Sequence, residues 1–191
     1  MKYSLQLKIS LAGIKPLVWR RVVVNSDISL ADFNTVIQSV MPWFGGHLHQ
    51  FIKDGVCYVA PCEGFIDEQE DSESFELYNN TKVGDLLQKE EDFVKYEYDF
   101  GDSWIHNISV EKVLAPLEER KAHYIKGKNM APPEDCGGAA AYMELKAILS
   151  DSSHPQYAEK CEWLGMEEDE IFDPTYIGCD DDDIDDALFE I

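Results

Sequence analysis

The stretch Tyr96-Glu97-Tyr98-Asp99-Phe100-Gly101-Asp102-Ser103-Trp104-Ile105-His106 decides the fold. Aromatic and polar residues alternate through it, the period of a half-buried strand. Gly before Asp predicts a two-residue type II′ turn in a hairpin over residues 93–114. That turn pairs Phe100 with Ser103, Asp99 with Trp104, Tyr98 with Ile105 and Glu97 with His106. Directly paired residues share a face, so Lys95, Glu97, Asp99, Trp104, His106 and Ile108 are expected on one side. Val94, Tyr96, Tyr98, Phe100, Ile105 and Asn107 are expected on the other, the core face. Large aromatics dominate burial, about 1.5–3 kcal/mol for a fully buried Phe-sized side chain, so this hairpin is expected near the middle of a sheet.

Upstream, Tyr3, Leu5, Leu7, Ile9 and Leu11 alternate strictly and predict a strand. Residues 17–24 predict a second strand, antiparallel to the first, after the break at Gly13-Ile14-Lys15-Pro16. Arg20 and Arg21 fall on opposite faces of it, so at most one is free in solvent and a buried one needs partners. Ser29 followed by Asp32 predicts a helix start, and Leu30, Phe33, Ile37, Val40 and Met41 carry its apolar stripe as far as Pro42 and Gly45-Gly46. Residues 47–53 and 56–60 around Asp54-Gly55 predict another hairpin. Residues 61–76 read as an acidic loop, 83–88 as a short helix, 117–121 as a polar connector and 139–150 as a helix. Ser153 with Gln156 starts a further helix, closed by Gly165. Asp180 to Asp183 precede Ile184, Ala187, Leu188 and Ile191 at helical spacing. Acids favour a helix N-terminus, so residues 180–191 read as an acidic C-terminal helix; a calcium loop would need a glycine that is missing. Strands, a helix, more strands and then helices predict one α+β domain over residues 1–191, with helices packed on a largely antiparallel or mixed sheet.

The net charge is −22, but residues 1–60 carry +3 and residues 61–191 carry −25. Such acidity repels phosphate backbones, whose affinity depends on Lys and Arg displacing counterions. Nucleic acid is therefore disfavoured as a partner, with Arg20-Arg21 the one plausible contact. No run approaches the ~18 apolar residues of a membrane helix, and the N-terminus lacks the apolar block of a signal peptide. The expectation is a cytoplasmic protein with no membrane partner. Five cysteines, an odd number, read as free thiols rather than a disulfide framework.

Three polar clusters suggest one composite cleft: His47 and His49; Glu97, Asp99, Asp102, Trp104 and His106; and Glu134, Asp135 and Cys136. On a strand, His47 and His49 project the same way, together with Phe51. Two imidazoles and a carboxylate form a recurring set for first-row metals, so a divalent metal held by His47, His49, Asp99, Asp102 or His106 is one reading. The other is structural: Glu97 opposite His106 is an ordinary cross-strand pair on a solvated face, and His47 and His49 are structural histidines hydrogen-bonded to backbone or to acids. In Pro132-Pro133-Glu134-Asp135-Cys136-Gly137-Gly138, the glycines allow close backbone approach or an anion nest at the next helix. Cys136 near a helix N-terminus is a nucleophile candidate only if its pKa is lowered, and otherwise a packing thiol.

These clusters resemble the plasmid pRiA4b ORF-3-like family, whose members also occur as passenger proteins of bacterial insertion elements. The matching pieces are Ile14-Lys15-Pro16-Leu17-Val18-Trp19-Arg20-Arg21-Val22, His47-Leu48-His49-Gln50-Phe51, the Tyr96–His106 segment, the Pro132–Gly138 loop and Phe172-Asp173-Pro174, within residues 3–178. The resemblance implies a prokaryotic α+β domain associated with mobile elements and supplies no catalytic residues to carry over. Where the family often has Cys before Pro-Pro-Glu-Asp-Cys, this chain has Ala131, which argues against a Cys-pair site. Three functions stay open: a module binding a small ligand or a protein in the composite cleft; a metal-dependent hydrolase with His47, His49 and the Asp99/Asp102/His106 cluster on the metal and Glu97 or Glu134 as base; and a nucleic-acid-handling accessory of a mobile element.

Overall fold

The N-terminal alternation folds as β1 (Ser4–Leu11), with Leu5, Leu7, Ile9 and Leu11 fully buried. β2 (Trp19–Asn25) lies antiparallel beside it, Leu5 opposite Val24 and Ile9 opposite Arg20. The structure, a computed structural model, describes residues 2–61, 75–78, 80–167 and 170–189. Most of the expected acidic loop at 61–76 lies outside the described residues.

Helix α1 (Leu30–Val40) begins where the capping pattern predicts: the Ser29 hydroxyl accepts from the Asp32 N–H at 3.0 Å. Its apolar stripe, including Phe33, Ile37 and Val40, is buried on the sheet. β3 (His49–Lys53) and β4 (Val56–Val59) form the second hairpin. Asp54 (φ 52°) and Gly55 (φ 89°) supply the two positive φ values of a type I′ turn. A short strand, β5 (Phe75–Leu77), adds in parallel to β4 and makes the sheet mixed.

After α2 (Val83–Leu86) come β6 (Phe93–Tyr98) and β7 (Trp104–Leu114). β8 (Ala122–Lys128) follows, a strand not anticipated from the sequence. Helices α3 (Gly138–Leu149), α4 (Tyr157–Trp163) and α5 (Asp181–Phe189) complete the chain. Ser153 does not cap α4; it hydrogen-bonds Asp151, and α4 starts at a Gln156 without a side-chain cap. The sheet order is β5-β4-β3-β6-β7-β1-β2-β8, which puts the 93–114 hairpin at its centre. Eight strands and five helices among the described residues make a single α+β domain. No described helix is long and apolar enough to cross a membrane.

The hairpin register departs from the expected one by one residue. Tyr98 pairs with Trp104, Glu97 with Ile105 and Tyr96 with His106. Gly101 does not take the positive φ that a II′ turn requires; Asp99 (φ 55°) and Ser103 (φ 51°) do instead. The Asp99 carboxylate accepts from the Gly101 N–H at 2.9 Å and the Asp99 carbonyl from the Ser103 N–H at 2.6 Å, which widens the connection to residues 99–103. A one-residue slip moves every side chain of the second strand to the other face. Trp104 and His106 therefore join Tyr96 and Tyr98 in the core, while Ile105 lies with Glu97 on the outer face.

The two arginines resolve as opposites. Arg20 is fully buried and pairs with no carboxylate among the described residues. Its guanidinium donates to the carbonyls of Val40 (2.7 Å), Trp19, Asn129 and Ile177 (3.0 Å each) and so ties β2 to three other segments. Arg21, on the outer face, forms a two-pronged pair with Glu111, with Nη2 to Oε1 at 2.6 Å.

Candidate functional site

The loop after α1 carries Trp43, Phe44 and His47 across the end of the sheet. Trp43 is buried; its ring stacks on Tyr98 (4.9 Å between centroids), and its indole N–H donates to the Pro132 carbonyl at 2.8 Å. That one side chain joins the central hairpin to the Pro-Pro loop. His47 stands just beyond, its ring edge-on to Tyr98 at 5.7 Å.

Three carboxylates surround His47. Asp99 Oδ1 is 3.9 Å from Nδ1, while Glu134 Oε1 and Asp135 Oδ1 are 3.6 and 3.1 Å from Nε2. The positive φ of Asp99 turns its carboxylate toward the cleft, where its side chain keeps only 13% exposure. Glu134 is held at both oxygens: Tyr98 donates its hydroxyl to Oε1 at 2.8 Å, and the Phe44 N–H donates to Oε2 at 2.9 Å. Burial, and after it the hydrogen bond to Glu134 and the charge of that carboxylate, raise the Tyr98 hydroxyl pKa above its ordinary value. Asp135 is the loose member, 70% exposed. One ligand atom each from His47, Asp99 and Asp135 lies within 4.8 Å of the other two.

The remaining expected site residues are elsewhere. His49 pairs with Tyr98 in register and packs inward on Tyr96, Tyr78 and Phe51, its Nε2 hydrogen-bonded to the Tyr78 hydroxyl. Burial lowers its pKa to about 4. His47 and His49 do meet tyrosines of the same sheet face, but His47 precedes the strand and sits at the rim. His106 is fully buried under Trp43. Its Nδ1 faces two carbonyls, Trp104 at 3.0 Å and Tyr96 at 3.4 Å, and so carries the proton. Its Nε2 lone pair has no hydrogen-bond partner among the described residues, and burial lowers its pKa too, to about 4. His49 and His106 flank Tyr96, at 5.8 and 5.3 Å from its ring. They share a face and a neighbourhood with the cleft but not its carboxylates.

Glu97 points away from the cleft, to the outer face, where Gln50 and Ser103 donate to it. The expected Glu97–His106 pair does not form, because of the register slip. Trp104 is core. Asp102 accepts from the Gly137 N–H at 2.9 Å, so the anion held at the start of α3 is this hairpin's own carboxylate. Gly137 (φ 91°) and Gly138 (φ 80°) make that docking feasible; a Cβ on Gly138 would come within 2.9 Å of the Asp102 carbonyl oxygen. Cys136 is half-buried, and desolvation followed by the charge of Asp102 pushes its thiol up to about 12. That is the reverse of nucleophile activation.

Trp43, Phe44 and Tyr98 organise the cleft, and the sequence reading did not single out the first two. Pro42 and Gly45-Gly46 read as a helix stop, and the two aromatics between them, three and four residues before His47, were the available signal.

Residues 3–181 match the family described as plasmid pRiA4b ORF-3-like protein. The chain belongs to that family. A relative, the uncharacterized protein y4hQ of Sinorhizobium fredii, is 34% identical over 160 residues, covering 84% of this chain and 80% of its own. The crystal structure of MM3350 from Methanosarcina mazei Go1, described as a protein of unknown function, superimposes with a TM-score of 0.77 at 30% identity. The match covers 92% of this chain and 95% of that one.

Proposed function

We propose that this protein is a binding module whose composite cleft seats a divalent cation on His47, Asp99 and Asp135. The observation that carries the reading is the convergence of those three ligand atoms within 4.8 Å at the junction of three loops. Ligands about 2.0–2.2 Å from one ion lie no more than about 4 Å apart, so closure needs a movement of about an ångström, which the exposed Asp135 can supply. One imidazole with carboxylates suits manganese or zinc better than a soft ion. Glu134, fixed by Tyr98 and Phe44, adds negative charge from an outer position.

Binding is favoured over hydrolysis because the bases that hydrolysis would use are committed. Glu97 faces the other side of the sheet, and both oxygens of Glu134 already accept hydrogen bonds. The nucleic-acid reading loses its contact surface, since Arg20 is buried and Arg21 is paired with Glu111. The test is calorimetric titration of tag-free, chelator-treated protein with manganese and with zinc. One equivalent should bind, and His47→Ala or Asp99→Asn should weaken binding by more than about a hundredfold, since even outer-shell losses cost about 10–100-fold. Wild type without binding heat, or a His47→Ala protein that binds like wild type, would sink the reading.

A further inference from the structure

Beside the cation seat, across the Pro-Pro loop, lies an open groove of about 570 Å³. Its rims carry aromatics that a globular surface ordinarily hides: Phe44 is 87% exposed, Tyr176 64% and Trp163 48%. Two smaller pockets of about 340 Å³ each adjoin it through shared walls. One shares Asp135 and Trp163 with it, and the other shares Met130, Leu164 and Tyr176. Through these shared walls the three pockets adjoin as one trough, with Trp163 at the end of α4 and Leu164 in its lining.

The charge along the trough is predominantly negative. Glu134 and Asp135 line the middle, Glu144 one end, and Glu170 and Asp173 the other. Against these five carboxylates stands Lys160, itself 3.7 Å from Glu159. Asp173 stays ionised readily, its pKa lowered by hydrogen bonds from the Thr175 hydroxyl and N–H. Exposed aromatic rings interleaved with carboxylates are the complement of guanidinium and ammonium groups on apolar stems: the rings take the cation on their faces and the carboxylates pair with it. A trough of linked compartments fits an extended chain better than one compact ligand.

We propose that this trough docks a short, extended, basic segment of a partner protein, rich in Arg or Lys with apolar residues between. The inference rests on the binding-module reading but not on the metal seat. A second copy of this chain is a poor occupant, because two bodies of net charge −22 repel.

The test is fluorescence anisotropy with three probes: a pool of labelled short peptides alternating Arg or Lys with Leu or Ala, a matched pool with Glu in place of the bases, and free arginine as competitor. The basic pool should bind, the acidic pool should not, and free arginine should compete only far above the peptide concentration. Affinity should fall with added salt, as charge-complementary contacts do. Trp163→Ala and Tyr176→Ala truncate exposed side chains, so the fold should persist, as circular dichroism and manganese titration check. Each should weaken the basic pool by about thirtyfold, the loss expected of an interface anchor, while His47→Ala weakens manganese binding by more than about a hundredfold and leaves the peptide. No binding of the basic pool, equal binding of both pools, arginine competing as strongly as the peptide, or a wild-type dimer lost on Trp163→Ala would each overturn the proposal. A protein that still takes up manganese under any of these outcomes would leave the cation seat standing.

Discussion

Two imidazoles flank the stacked pair of Trp43 and Tyr98, in opposite surroundings. His47 meets the edge of Tyr98 from the solvent side, among Asp99, Glu134 and Asp135. His106 meets Trp43 from the core side, fully buried, one nitrogen on backbone carbonyls and the other without a hydrogen-bond partner among the described residues. The same side chain is a ligand candidate in the first place and core packing in the second. What separates them is one stacked aromatic layer, and what assigned His106 to its side is a one-residue choice of register in the hairpin. Chemistry-bearing residue types therefore identify a site only after the backbone has decided which of them meet.

The strongest way to break that partition is to remove the layer. Trp43→Ala deletes the stack on Tyr98, the cover over His106 and the hydrogen bond to Pro132. Truncating a buried Trp costs about 3–5 kcal/mol, so the midpoint of thermal unfolding should drop by roughly 10 °C. Cation affinity should fall with it, because the Pro132 anchor positions Asp135. Trp43→Phe retains a stacked ring and should lose far less stability. If Trp43→Ala unfolds like wild type in urea, Trp43 is not the joint between the two regions.

Acid should separate the two histidine environments next. In the unfolded chain an imidazole protonates near about 6.5, whereas burial holds His49 and His106 near about 4 in the folded chain. Between those values the unfolded state binds more protons, so stability declines as pH falls from about 6.5 to about 4 and this contribution levels off below. The full loss is roughly 3 kcal/mol for each residue. His106→Phe keeps a ring in place and removes one of the two titrations. Its stability relative to wild type should therefore rise by roughly 2 kcal/mol between pH 7.5 and pH 4.5, measured by urea denaturation at both. The carboxylates titrate alike in both proteins and cancel in the difference. Parallel acid limbs would mean that His106 is protonated in the folded protein as easily as in the unfolded one.

How much of this was legible follows the range of the forces. The alternation of β1, the Ser29 cap of α1 and the Asp54-Gly55 turn are set by residues adjacent in sequence, and each formed as expected. The register at 99–103 was not legible because it depends on two non-glycine residues, Asp99 and Ser103, taking positive φ. β8 was missed because Ala-His-Tyr-Ile-Lys-Gly-Lys carries no alternating apolar face. Its Gly127 and its lysines suit an edge strand laid against Arg20: a Cβ on Gly127 would come within 2.6 Å of the Arg20 side chain. In the cleft, His47, Asp99, Glu134 and Asp135 stood out by residue type. That His49, Glu97 and His106 would be turned elsewhere depended on strand direction and register, which only the folded chain settles.

The smallest expected effect is the sharpest probe of the boundary, because Tyr98 belongs to both regions. Its ring is part of the buried layer, stacked on Trp43, while its hydroxyl donates to Glu134 in the cleft. Tyr98→Phe removes the hydroxyl and leaves the ring. A hydrogen bond to a charged acceptor contributes about 1.5–3 kcal/mol where it is well shielded and less where water can replace it. Glu134 retains the Phe44 N–H on its other oxygen and its side chain is only 12% exposed, so about 1.5 kcal/mol is expected, the low end of that range. The acid limb from His49 and His106 should keep its wild-type shape, since neither histidine bonds that hydroxyl. Cation affinity should change by less than about tenfold, the lower bound for loss of an outer-shell partner, because Glu134 keeps one of its two anchors. A destabilisation as large as that of Trp43→Ala would mean that the ring and the cleft move as one cooperative unit. The division between a buried aromatic layer and a polar rim would then be a description of exposure only, not of energetics.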